Sequence, residues 1–221
     1  MGGVAEAMDR VGGGELRNAF CFIGTGGHHA GRDYFGGYCC FNDAVIAIRQ
    51  ARRKGRLRRV AILDTDAHHA DGTRDLVADD PDVLHVCVCD MNYTSMDGTK
   101  IDVAAPVPVP GEIADRVYVN LVQGAFSHRA RRFRPDMVLW YFGFDTHQGD
   151  YGDLGLTSNA FLDLAGLVLD AARETCGEKL LVVLGGGSRT DLATALIPPI
   201  IGRLAKQRAP EANPLDPTMG Q

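Results

Sequence analysis

Residues 59–72 read RVAILDTDAHHADG. The opening RVAILD is apolar and partly β-branched, the composition of a strand buried on both faces. From Asp64 onward, three aspartates and two histidines fall within nine positions, 64–72. A core strand therefore runs straight into a dense titratable cluster at its carboxyl end.

Working outward, four more runs read as buried strands: NAFCFIG (18–24), VLHVCVC (83–89), DMVLWYFGF (136–144) and KLLVVLGGG (179–187). Between them lie helical periods at 3–11, 39–55, 114–133, 158–177 and 190–207, with a short helix at 72–79. Gly55 and Gly177 are stop signals, Ser158 is a plausible cap, and Pro198 and Pro199 are expected to interrupt the last helix. Residues 90–111, polar then proline-rich, read as an ordered loop region. Strands alternating with helices predict an α/β fold: a three-layer α/β/α sandwich around a mainly parallel sheet. One domain is expected over residues 1–208, followed by a proline-rich, disordered tail at 209–221.

The bulk numbers bound the function. A chain of 221 residues with 45% hydrophobic content builds one core. A net charge of −5 gives no basis for a sequence-independent grip on nucleic acid. No segment has the length and apolarity of a membrane span or the pattern of a signal peptide. The six cysteines form no CxxC pair and several sit in strand-like runs, as buried thiols do in a reducing compartment. A cytoplasmic location is expected.

In folds of this class ligands bind beyond the carboxyl ends of the strands. The unusual residues collect there: Gly26-Gly27-His28-His29 after the first strand, Asp64 to Gly72 after the second, Asp145-Thr146-His147 after the strand at 136, and Gly185-Gly186-Gly187 after the last. Residues two apart in an extended segment point the same way, so Asp66 and His68 can offer an oxygen and a nitrogen to one cation. Asp145 can add a second oxygen. One histidine with two carboxylates suits Zn2+ with an open position for water, and Fe2+ or another divalent ion accepts the same donors. His28 and His29, in a glycine-flanked turn, are candidates for proton transfer, with Asp64 and Asp71 left to orient their imidazoles. The glycine runs match neither GxxxxGK[ST] nor a full GxGxxG, and read as permissive backbone near a ligand.

Four ordered blocks, GGHHAGRDYFGGYCCFNDAVIAI, RVAILDTDAHHADGT, PDMVLWYFGFDTHQGDYGDLGLT and LGGGSRTDLA, together resemble the zinc-dependent histone deacetylase family, which includes acetylpolyamine amidohydrolases and acetoin-utilisation proteins. The resemblance runs from about residue 18 to about 205. It implies an arginase/deacetylase-like fold and hydrolysis of an N-acyl amide by metal-activated water. Zinc would be held by Asp66, His68 and Asp145. His29, supported by Asp71, would be general base and then acid, and His28, paired with Asp64, its electrostatic partner. A structural K+ would sit at Asp64 and carbonyls near Asp66 and His68. Gly27, Tyr38, Met96 and Gly152 match positions lining the substrate tunnel.

The chain departs from this pattern twice. The family places a tyrosine after its glycine run, where its hydroxyl polarises the substrate carbonyl; here Arg189 stands at that position. Arg189 can act as a cationic donor, bind an anionic group of the substrate, or point away. The family also has a substantial segment before the first strand, so the chain reads as N-terminally short. An uncovered sheet edge would then favour pairing into a homo-oligomer or leave low stability. The expected substrate is an acylated amine: acyl-lysine in protein, an acetylpolyamine, or a small N-acyl amine. The alternatives are an acyl-group-binding protein weakened in catalysis by Arg189, and a two-metal ureohydrolase.

Overall fold

The computed structural model describes residues 2–24, 26–106 and 111–206. Its strands are β1 (Asn18–Cys21), β2 (Val60–Asp64), β3 (Val83–Cys89), β4 (Tyr93–Thr94), β5 (Lys100–Ala104), β6 (Met137–Phe142) and β7 (Leu180–Leu184). They form one sheet in the order β1-β7-β6-β2-β3-β5-β4. Every pairing is parallel except that of β4 with β5. Because β2 is buried along its whole length, it takes the central place, with Asp64 in register with Cys87 on one side and Tyr141 on the other.

Helices α1 (Gly2–Gly12), α2 (Asp43–Arg53) and α3 (Asp71–Val77) cover one face. Met8, Val45, Ile48 and Val77 pack there against Val60, Ile62, Leu139 and Val183. Helices α4 (Glu112–Val122), α5 (His128–Phe133), α6 (Ser158–Cys176) and α7 (Thr190–Ala205) cover the other, where Tyr118, Phe126 and Phe161 meet Leu63, Trp140 and Phe142. Alternate residues of β2 and β6 thus serve opposite cores, as the two-residue period of a strand requires. No helix among the described residues is long and apolar enough to cross a membrane.

Four local expectations need correction. The stretch 90–111 contains the pair β4 and β5; buried Lys100 and Asp102 disguise β5 as loop. Lys100 is tolerated there because its Nζ donates to the Asp80 and Val83 carbonyls and to Thr99 Oγ1. Helix α6 is capped by Thr157, whose Oγ1 accepts from Asn159 N at 3.3 Å, and Ser158 is its first residue. The helical run 112–133 includes a π turn at 123–127. Helix α7 continues through Pro198 and Pro199, its buried face of Leu196, Ile197, Ile200 and Leu204 holding it against the core despite the missing N–H donors. The tail at 209–221 and part of the domain limit lie outside the described residues. At the far edge of the sheet β1 pairs with β7 and is mostly half-buried.

Replacing Lys100 by methionine keeps much of the side-chain volume but takes the Nζ donor from the buried Val83 carbonyl, while the Asp80 carbonyl keeps its bond from Val83 N. The Lys100→Met variant is expected to lose about 1–3 kcal/mol in urea denaturation, from the cost of an unsatisfied buried acceptor.

Candidate metal centre and active site

Parallel pairing brings the carboxyl ends of β1, β7, β6 and β2 to one edge as neighbours. The four strand-end loops of chemical interest therefore lie side by side. Two glycines allow close approaches of backbone to backbone. A Cβ on Gly143 would stand 2.6 Å from the Asp66 Cα, so only glycine lets the β6 tip lie against the β2 tip. A Cβ on Gly72 would meet the Ala30 backbone at 2.4 Å, so glycine seats the histidine turn on the start of α3. Thr73 N then donates to the His28 carbonyl at 2.8 Å, and Asn42 Nδ2 ties Ala30 O to Thr73 Oγ1.

Asp66, His68 and Asp145 converge, their nearest ligand atoms all within 4.8 Å of one another. His68 Nδ1 lies 3.0 Å from Asp66 Oδ1 and 3.1 Å from Asp145 Oδ2. Both carboxylates are buried. Asp66 Oδ2 accepts from Gly186 N at 2.7 Å and Asp145 Oδ1 from Ala67 N at 3.2 Å. Asp145 Oδ2, buried, has no well-aligned hydrogen-bond donor. An orphaned carboxylate oxygen facing a second carboxylate and an imidazole nitrogen is a donor set that fits a divalent cation.

The electrostatics agree. Burial, reinforced by the charge of Asp66 and opposed by His68, pushes Asp145 up to about 7. Burial also opposes the charge of Asp66, but His28 and His68 outweigh it and hold this carboxyl below its ordinary value. The Asp145 and Asp66 carboxylates, both beside its Nδ1, raise the His68 imidazole to about 10.

Beside this cluster stand two histidine–aspartate pairs. His28 Nδ1 lies 3.0 Å from Asp64 Oδ2, and His29 Nδ1 lies 2.6 Å from Asp71 Oδ1. The turn that carries them sets their ring centroids 4.2 Å apart, with both rings lining one cleft. Burial alone would depress His28; Asp64, Asp66 and Asp145 overcome it and raise the imidazole to about 9. The cleft has a volume of about 740 Å³ and also reaches Asp66, His68, the glycine run and Arg189.

The other sequence candidates are distributed as follows. Tyr38 lines the cleft in a left-handed conformation, φ 64°, with its side chain exposed. Met96 is fully exposed and is not among the lining residues. Gly152 packs behind Asp145, where a Cβ would meet Ala67, and Gly27 sits on the Phe41–Asp43 backbone. The Arg189 guanidinium pairs with Asp191, through Nε at 3.1 Å and Nη2 at 2.5 Å, at the outer rim. His147 faces away and stacks on Phe161.

Three further residues shape the site and are not singled out by sequence. Tyr141 stacks on His28 at 4.9 Å, and its hydroxyl accepts from Gly27 N and His28 N. A tyrosine inside an otherwise aliphatic and aromatic strand was its one signal. Asp150 accepts from the backbone of Ser188 and Arg189 and joins the Asp145 loop to the glycine run. Tyr151 lines the cleft, and its hydroxyl accepts from Gly187 N at 3.0 Å. Burial, then the charge of Asp145, pushes its phenol above the ordinary range.

Comparison with known proteins gives the lineage. The histone deacetylase domain family matches residues 1–197. The chain belongs to the histone deacetylase family. It is 30% identical over 181 residues to the chloroplastic histone deacetylase 14 of Arabidopsis thaliana, covering 76% of this chain and 42% of that protein. It is 30% identical over 198 residues to the acetoin utilization protein AcuC of Bacillus subtilis, covering 85% and 51%. The crystal structure of an acetylpolyamine aminohydrolase from Burkholderia pseudomallei superposes with a TM-score of 0.77 at 26% identity, over 93% of this chain and 61% of that one. The fold is that of the arginase/deacetylase group. The chain spans about half the length or less of these two curated relatives.

Among the described residues a second group, Cys87, Cys89 and Asp102, also comes within ligand distance. There Asp102 is already engaged by Arg74 and His69, and a guanidinium at that position opposes a metal ion.

Zinc titrated into metal-free protein is expected to bind at one equivalent per chain and to be lost in Asp145→Ala. At a free concentration of a hundred times Kd, linkage of about 2.7 kcal/mol raises the thermal midpoint by roughly 5–10 °C, read by calorimetry.

Proposed function

We propose that this protein is a zinc-dependent amidohydrolase that removes an acyl group from a linear N-acyl amide. The observation that carries the reading is the convergence of Asp66, His68 and Asp145 next to two carboxylate-anchored histidines in one cleft. A divalent ion held by Asp66, His68 and Asp145, Zn2+ or Fe2+, supplies Lewis acidity toward the amide carbonyl and the attacking water.

The chain's own groups carry the protons. Asp71 fixes the Nδ1 side of His29, which leaves Nε2 as the basic nitrogen. In this reading Nε2 takes a proton from water as its oxygen bonds to the carbonyl carbon. The same nitrogen returns the proton to the amide nitrogen as the C–N bond breaks, releasing amine and carboxylate. His28, held by Asp64 and stacked on Tyr141, would favour the developing oxyanion in its protonated form. The Phe22, Ile23, Tyr38 and Phe144 side chains border the cleft and suit the apolar part of an acyl-lysine, an acetylpolyamine or a small N-acyl amine. All six cysteines are free thiols, in keeping with a reducing compartment such as the cytoplasm.

A second reading has one observation in its favour. Arg189 is paired with Asp191 at the rim, so it is not aimed at the oxyanion position, and an acyl-binding protein with weakened catalysis would look the same there.

The test is a panel of acetyl-lysine peptides and acetylpolyamines offered to zinc-loaded protein. Turnover is expected, with His29→Ala lower in kcat by about 10²–10⁴-fold. Equal rates in wild type and His29→Ala would reject the hydrolytic reading, and tight hydroxamate binding without turnover would favour the second.

A further inference from the structure

The glycine run after β7 carries no tyrosine, and Arg189 is turned toward Asp191. A phenol nevertheless reaches the centre from a different loop. We infer that Tyr151 is a catalytic residue whose hydroxyl donates to the oxygen of the scissile carbonyl. This rests on the hydrolytic reading above and adds the oxyanion donor that the reading lacks.

The geometry carries it in three steps. First, position: a methyl group placed on Gly186 would stand 2.7 Å from the Tyr151 hydroxyl, 2.3 Å from Asp66 Oδ2 and 2.9 Å from Asp145 Oδ2. One small volume is thus walled by the phenol and by both carboxylate ligands. The Tyr151 ring also lies 5.5 Å from that of His68, so it borders the third ligand. Second, direction of donation: the hydroxyl already accepts from Gly187 N at 3.0 Å. A phenol has one proton to donate, and with its acceptor side engaged by the backbone that proton is the group left for a ligand. Third, fixation: the Asp150 carboxylate accepts from Tyr151 N at 2.8 Å, from Ser188 N and Oγ, and from Arg189 N at 3.1 Å. Asp150 thereby locks the loop bearing Tyr151 to the glycine run, so the phenol is placed before substrate arrives. Preorganisation of this kind gives an oxyanion donor its effect, because no reorientation is needed as charge develops.

The competing role is structural: Tyr151 would merely hold Gly187. A pair of small ligands separates the two. Acetohydroxamate presents a carbonyl oxygen beside the metal, whereas a simple thiol such as 2-mercaptoethanol binds zinc through sulfur and needs no carbonyl donor. In zinc-loaded Tyr151→Phe, calorimetry is expected to show hydroxamate affinity down about tenfold, with thiol and zinc affinity unchanged and the thermal midpoint lowered by no more than about 2–4 °C for the lost Gly187 bond. On a substrate found with the wild type, kcat is expected to fall by about 10²–10³-fold with KM little altered. Equal weakening of hydroxamate and thiol would mean a displaced loop, and would overturn the inference. So would unchanged hydroxamate affinity, or a loss found in Arg189→Ala and absent from Tyr151→Phe. A wild type that binds hydroxamate but turns over no amide would sink the hydrolytic reading alone, since the two-ligand comparison still decides the donor. Binding of neither zinc nor hydroxamate would sink both.

Discussion

Three buried aspartates, Asp64, Asp66 and Asp145, stand at one edge of the sheet, and their charge has to be balanced there. A carboxylate removed from water costs several kcal/mol unless it is paired and hydrogen-bonded. The chain supplies two kinds of balance. Asp64 has a permanent partner in His28, and its other oxygen accepts from Asp66 N. Asp66 and Asp145 share His68 and leave one oxygen with no well-aligned donor. That unfinished balance is the physical reason to expect a cation. A divalent ion would complete that balance.

The fold makes this arrangement available. A parallel sheet sends every strand in it toward the same edge, and the strands β1, β7, β6 and β2 are neighbours although their sequence order is scattered. Side chains separated by as many as 117 positions, His28 and Asp145, thereby serve one cluster, as the electrostatic influence of Asp145 on His28 shows. Gly143 and Gly72 remove the side chains that would keep the strand tips and the histidine turn apart. Tyr141 contributes twice from a single register position: its ring supports His28 from below, and its hydroxyl holds the backbone of the turn.

The sequence was readable where pattern and chemistry coincide. Continuous apolar runs located β2, β3, β6 and β7 closely because both faces of each are buried. The block from Asp64 to Gly72 announced its cluster because adjacent histidines and alternating aspartates have no cheap structural use. The strand β5 escaped because its charged residues are compensated only in three dimensions, Lys100 by the Asp80 and Val83 carbonyls and Asp102 by Arg74. Helix α7 ran through its prolines because tertiary burial outweighed local preference. Tyr151 was invisible for a related reason. Its significance lies in a contact with Gly187, 36 positions away, and no local spacing encodes that.

Chemistry and selectivity occupy different mechanical regimes in this molecule. The Asp66 and Asp145 carboxylates and the His28 ring are almost fully buried and tied to strand ends, so their geometry is as rigid as the sheet. The border of the cleft is built otherwise. Phe22 and Tyr38 are strongly exposed, and Met96 lies wholly in solvent outside the lining. Few contacts fix these side chains, so substitutions at the rim can alter which ligand the cleft admits without disturbing the buried carboxylates. Tyr38 is the informative exception: a bulky residue held at φ 64° is costly, and the cost has no packing return because its side chain faces water. The turn that imposes it also sets Gly37 against the His29 ring. Tyr38 and Gly37 thus share one short turn, which borders the cleft at Tyr38 and meets the ring of the proposed base at Gly37.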